Sequence, residues 1–195
     1  MPIANIDEVQ SVLSDFESRI YDVVNRAWND WKEMPGRGRF MFGRTRSNII
    51  FDCICQYAAI EFADDPDIHI IGKNGTLKFL FRDRVLVRFK KENAKGIGSN
   101  ILTQSVLDFV DPQLTIPGLP DVYKVEACYK TDGLGTQFEQ LAIVARDRTR
   151  RIWSYPIDGS LSDVKIVHFP DMGGPDATPP SVTPKKRPLE DEASE

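Results

Sequence analysis

TLKFLFRDRVLVRFKK, residues 76–91, decides how the chain is read. Two runs of strand-forming residues, 77–81 and 85–89, flank the polar turn Arg82-Asp83-Arg84. In the first run Leu77, Phe79 and Phe81 alternate with Lys78 and Leu80. In the second, Val85, Val87 and Phe89 alternate with Leu86 and Arg88. A period of two in aromatic and β-branched residues marks a half-buried antiparallel hairpin. Its buried face needs an apolar cover, and helical patterns lie on either side of it in the chain.

Upstream, Asn5 with Glu8 three residues on makes a capping-box-like helix start. Ile6, Val9, Leu13, Phe16, Ile20, Val23, Ala27 and Trp31 follow at steps of three and four. This predicts one long amphipathic helix of about seven turns, its stripe and Trp31 in the core, stopped by Pro35-Gly36. A second helix, capped by Ser47 or Thr45, runs to Phe62 and is apolar on nearly every side, the pattern of a buried helix. Residues 68–71 read as a short strand that turns at Lys73-Asn74-Gly75 into the hairpin.

Downstream, residues 95–100 (KGIGSN) read as a flexible linker with a Ser99 or Asn100 cap on a third helix, 101–110. Its two glycines lack the strand and the spacing of a phosphate-binding loop. A rigid loop, 113–120, leads to strands over 122–130, 137–146 and 150–155, with 164–169 a candidate for one more. The expected fold is α+β: two N-terminal helices packed on an antiparallel sheet, with a third helix mid-chain. Residues 1–170 form a single domain in this reading. Residues 171–195, dominated by Gly, Pro, Ser, Thr and charge, read as a disordered C-terminal tail.

A chain of 195 residues that is 41% hydrophobic has an ordinary globular composition. It contains no apolar run of the roughly 20 residues a membrane helix needs, and the opening MPIANIDEVQ has no signal-peptide pattern. Three cysteines do not make a disulfide framework, so a cytoplasmic location is expected. The net charge of −4 is uneven, and the basic residues concentrate between 32 and 95. That excess is too moderate to require a nucleic-acid partner.

Chemistry-bearing patterns are sparse. His69 and His168 are the two histidines, and HExxH, paired CxxC and Gly-x-Ser-x-Gly are missing. Cys53 and Cys55 stand two apart on a helix and diverge, so they read as buried thiols. A metal-dependent nuclease needs convergent carboxylates. After Asp83 comes Arg88-Phe89-Lys90, with arginine where an acid should stand, and Asp121, Glu126 and Lys130 have the wrong spacing. No catalytic residue, metal ligand or cofactor is therefore expected.

Binding residues are easier to find. In residues 36–46 (GRGRFMFGRTR), Arg37, Arg39, Arg44 and Arg46 interleave with Phe40 and Phe42. Guanidinium groups beside rings suit phosphate contact with base stacking, or protein contact. The bland alternative is a solvated basic loop with both rings folded beneath it. Arg150, Arg151 and Trp153 on a late strand are a second candidate group, since Arg, Tyr and Trp dominate protein–protein contacts.

Several stretches resemble an uncharacterised family of small bacterial proteins: AWNDWK closing the first helix, RTRSNIIFD, LVRFKK, IPGLPDVYKVE and RIWSYPI. The resemblance covers residues 9–157. It implies a genomic setting beside helix-turn-helix regulators fused or adjacent to ImmA/IrrE-type metallopeptidases, hence a stress, mobile-element or toxin–antitoxin circuit. It implies no catalytic residues. The function expected is a non-catalytic accessory or antitoxin-like component that binds a protein encoded nearby. Nucleic-acid binding, or metal-dependent nuclease activity, is the alternative.

Overall fold

In the computed structural model the hairpin forms as its alternation requires. The structure describes residues 4–73, 75–99, 103–112, 114 and 121–159. The 164–169 strand, the tail, His168 and most of the 113–120 loop lie outside the described residues. Strands β1 (Ile68–Lys73), β2 (Thr76–Phe81) and β3 (Val85–Lys91) form an antiparallel meander. Arg82 and Asp83 both have positive φ, 46° and 53°, and the Arg84 amide donates to the Phe81 carbonyl at 2.9 Å. Left-handed backbone at two non-glycine residues is tolerated because Arg82 is tied down on several sides. Its amide bonds Asp67, and its guanidinium bonds Asp67 and Asp15.

Strands β4 (Tyr123–Thr131), β5 (Phe138–Asp147) and β6 (Arg150–Ile157) make the second meander, and the six strands stand in chain order in one sheet. The joint between the meanders departs from the antiparallel expectation. β3 and β4 pair parallel, Val85 opposite Tyr123 through Lys91 opposite Tyr129. A parallel pair needs a crossover, and the connection carries helix α4 (Gln104–Val110). The sheet is thus mostly antiparallel and the class α+β.

The expected first helix is two, α1 (Ile6–Leu13) and α2 (Glu17–Glu33). Asn5 caps α1 as read, its side chain accepting from Asp7 and Glu8. At Ser14-Asp15-Phe16 the ladder tightens, and the Phe16 amide reaches Leu13 instead of Val12. Ser and Asp favour such breaks because their side chains compete for backbone groups. The stripe nevertheless stays buried from Val9 through Trp31, because it resumes in register beyond the kink.

Helix α3 (Gly43–Glu61) starts earlier than read and is not buried all round. Ile50, Ile54 and Ala58 are buried, whereas Ile60 is 67% exposed and Phe51 half-buried. Helix α4 is capped by Thr103, whose hydroxyl accepts from Val106, and not by Ser99 or Asn100.

Helices α1 to α3 cover one sheet face. Phe62 meets Phe79 and Phe81 edge-on, both at 5.6 Å, and Phe16 packs on Phe81 at 5.1 Å. The hairpin is not half-buried as its alternation suggested, because the other face is covered too. Leu80 and Leu86 lie under Phe109 and Val110 of α4 and Val122. Lys124 holds that helix down by donating to the carbonyls of Asp108, Asp111 and Leu114, at the C-terminal end of α4 and just beyond it.

Candidate functional site

Residues 36–46 form the first candidate region. After α2, Arg37–Arg39 make one 3₁₀ turn and Phe40 to Phe42 lead into α3. The tip is apolar and open: Phe40 is 43%, Met41 89% and Phe42 63% exposed. Phe40 leans on Trp31 with ring centres 6.0 Å apart, so one ring is partly tucked in while the other stands out. Met41 is the most exposed of the three, and the alternation of Arg and Phe gives no sign of it.

The four arginines have different duties. Arg37 donates to the Lys32 carbonyl at the end of α2. Arg46 donates to the carbonyls of Leu134 (3.1 Å) and Gly135 (2.8 Å) in the β4–β5 turn. Gly135 is required there: its φ is +66° and a Cβ would collide with the Arg46 guanidinium. Arg44 lies over the Phe42 ring at 5.7 Å. Arg39 and Arg44 have no carboxylate partner among the described residues. The clamp also brings Leu134, 81% exposed, to the loop's base.

The late-strand candidates lie elsewhere. Arg46 touches the turn before β5, while Arg150 and Arg151 follow the turn after it. The ten residues of β5 separate the two groups by roughly 30 Å at strand rise. Arg151 packs against Gly96. Trp153 stacks on Tyr155 at 6.0 Å, and its indole donates to the Ala4 carbonyl at 2.6 Å. The structure does not bring the two groups together, and Trp153 serves the N-terminal packing.

The acids of the nuclease alternative do not converge. Asp83 sits exposed in the hairpin turn, 3.4 Å from an equally open His69. Glu126 is fully buried and committed elsewhere. Among the described residues no three His, Cys, Asp or Glu side chains are placed to hold a metal ion. Cys53 and Cys55 are half-buried and not buried as read; burial still pushes the Cys55 thiol up to about 11 and raises Cys53 as well, which fits packed thiols better than nucleophiles.

Glu126 organises a buried charge cluster that sequence reading missed. Directly opposite on β3, Arg88 donates to it twice, at 3.0 and 2.5 Å. Arg146 on β5 reaches it at 3.3 Å. The Gly98 amide adds a bond of 2.9 Å. Burial alone would push the carboxyl up, but the two guanidiniums and the amide outweigh it and hold it below the ordinary value. Two cations share one acid here, so the cluster keeps a net positive charge.

The approach of residues 93–98 completes this cluster. They form a fixed turn, not the flexible linker expected, because Asn93 accepts from Lys95 and Ile97. Gly98 is needed where that turn presses on the sheet: a Cβ would stand 2.6 Å from Glu126 Oε2 and 2.7 Å from Lys90 Cβ.

Beside the cluster the sheet forks. β2 and β3 pair only from Phe79–Val87 to Phe81–Val85. Beyond this, β2 stays with β1 and β3 stays with β4. The start of β2 and the end of β3 then line a cleft of about 650 Å³, walled also by α3 and the start of α4. Lys78, Arg88, Lys90 and Lys91 are in its wall, and no Asp or Glu is. Burial pulls the Lys90 ammonium below its ordinary value, and neighbouring Arg88 pulls the same way. Burial does likewise at Lys91, with Arg46 adding to it.

The chain matches no protein-family model, no curated protein and no solved structure.

Proposed function

We propose that the protein is a bacterial cytoplasmic accessory factor that works by binding another protein, in the kind of regulatory circuit its family resemblance implies. The observation that carries the reading is the open tip of Phe40, Met41 and Phe42 on a loop whose base Arg46 anchors. Large apolar side chains held open on an anchored support match the centre of a protein–protein contact. Residues 36–46 contain four arginines and no acid, so an acidic partner surface is the complement.

Nucleic acid is the second reading, and the duties of the arginines count against it. Arg37 and Arg46 are spent on backbone carbonyls, which leaves Arg39 and Arg44 for phosphates. Two phosphate contacts give a shallow salt dependence and weak retention.

The test is co-expression with the products of adjacent genes, followed by size-exclusion chromatography. A stable complex is expected, lost in Met41→Asp/Phe42→Asp while the melting temperature stays within a few degrees, since both residues are exposed. Absence of any co-eluting neighbour, with nucleic-acid retention that falls steeply in salt, overturns the reading.

A further inference from the structure

The cleft at the fork of β2 and β3 has features that packing does not explain. Its wall carries four basic side chains and no acid, and two of them, Lys90 and Lys91, form no ion pair among the described residues although burial of a charge is costly. Arg88 is 5% exposed and its one acidic partner, Glu126, is shared with Arg146. The deep end of the cleft therefore adjoins a charge cluster that is itself positive. A bound anion would supply the missing counter-charge.

Tyr129 gives a second, independent sign. It belongs to the same wall, is 1% exposed, and its hydroxyl makes no hydrogen bond of good geometry among the described residues, with the Ser47 hydroxyl as its polar neighbour. Ser47, also in the wall, donates its own proton to the Gly43 carbonyl. Buried hydroxyls without partners are rare because each costs the desolvation it never recovers. Burial pushes the Tyr129 hydroxyl above its ordinary value, so it stays protonated and able to donate.

Size and apolar content narrow the ligand. About 650 Å³ is far more than an inorganic anion fills, and lies in the ordinary range for small-molecule sites. Phe51, Leu77 and Phe89 supply apolar wall beside the cations. Cations and a phenolic donor next to aromatic carbon suit a phosphate joined to a planar base. We propose that this cleft binds a nucleotide, its phosphate against Lys90 and Lys91 and the Tyr129 hydroxyl, its base against Phe51. The half-buried outer side of α3, apolar where a core helix would be covered, is then the base-side wall of a binding site.

Calorimetric titration of the full chain with AMP, GMP, CMP and UMP, and separately with inorganic phosphate, tests this. At least one nucleotide should bind with a Kd of about 0.1 mM or tighter, and phosphate at least about tenfold more weakly. Lys90→Gln/Lys91→Gln should weaken the nucleotide about tenfold or more, as loss of charge-assisted bonds does. Phe51→Ala should weaken the nucleotide and leave phosphate unchanged. Tyr129→Phe separates binding from folding. It should weaken binding several-fold, yet leave the ligand-free melting temperature unchanged or raised, because the deleted hydroxyl has no hydrogen bond of good geometry to lose. Failure of all four nucleotides to bind at millimolar concentration overturns the proposal. So does equal affinity for phosphate, or a Tyr129→Phe protein that melts lower without ligand.

Discussion

The two faces of the sheet are both buried, by different means. Against α1 to α3 the sheet offers Phe79, Phe81, Val85, Val87, Phe89 and their neighbours, and the contacts are ring edges and methyl groups. On the other face, Leu80 and Leu86 lie next to Arg88, and Cys128 next to Glu126. The first face is held by apolar area removed from water, which is non-directional and forgiving of small shifts. The second depends on an ion cluster whose geometry must be kept, since a buried charge that loses its partner is strongly unfavourable. The difference separates a face that supports the fold from one shaped around charge, and the cleft opens beside the charged elements.

Replacements on each face sharpen that contrast. Trp31→Ala, deep under the helical cover at 7% exposure, should cost about 4 kcal/mol in denaturant unfolding, within the range for large aromatic truncations. A loss under about 1 kcal/mol would mean that α2 does not anchor this core.

Glu126→Gln should cost about 3 kcal/mol, because two buried guanidiniums lose their counter-ion. Its pH signature is specific. The folded carboxyl is held below its unfolded value, so its stabilising contribution is complete above the unfolded pKa and is lost as pH falls through the folded one. The acid limb of the stability profile should therefore flatten in Glu126→Gln. An unchanged limb would remove the cluster from the account. Replacing Arg88, Glu126 and Arg146 together with apolar residues of similar volume should recover most of the loss, which would make the two faces alike.

Gly98→Ala should cost about 1–3 kcal/mol, since the added methyl meets Glu126 and Lys90 where the turn presses on the sheet. Ile60→Ser, on the open side of α3, should change stability by less than about 0.5 kcal/mol. A larger loss would show that this side of the helix is packed after all.

The elements were legible wherever a single periodicity decided them. Phe79, Phe81, Val85 and Val87 alternate on the face the pattern assigns, and the helical stripe from Val9 to Trp31 is buried along its length. The kink at residues 14–16 was hidden because Leu13, Phe16 and Ile20 keep their spacing across it. The parallel joint was hidden because alternation states which side of a strand is buried, not which strand lies beside it.

The candidate sites divide in the same way. The arginine-rich loop was visible in composition, but not that Arg37 and Arg46 are tied to carbonyls. Along β4, Lys124, Glu126 and Cys128 have the alternation of a solvated face, and only burial beneath residues 93–98 and α4 reveals otherwise. The fork that opens the cleft is the early end of one ladder, and no residue type announces it.

The parallel joint also bears on how the chain assembles in time. Each meander is built from strands that are neighbours in sequence, so each can zip from its own turns. The pairing of β3 with β4 must wait until the chain between Lys91 and Tyr123 has closed, and non-local closure is what slows folding. The joint is therefore the expected bottleneck. Val125→Ala in β4, beside β3, should slow refolding by most of the stability it loses. Ile157→Ala, far out on β6, should leave the refolding rate nearly unchanged and speed unfolding instead.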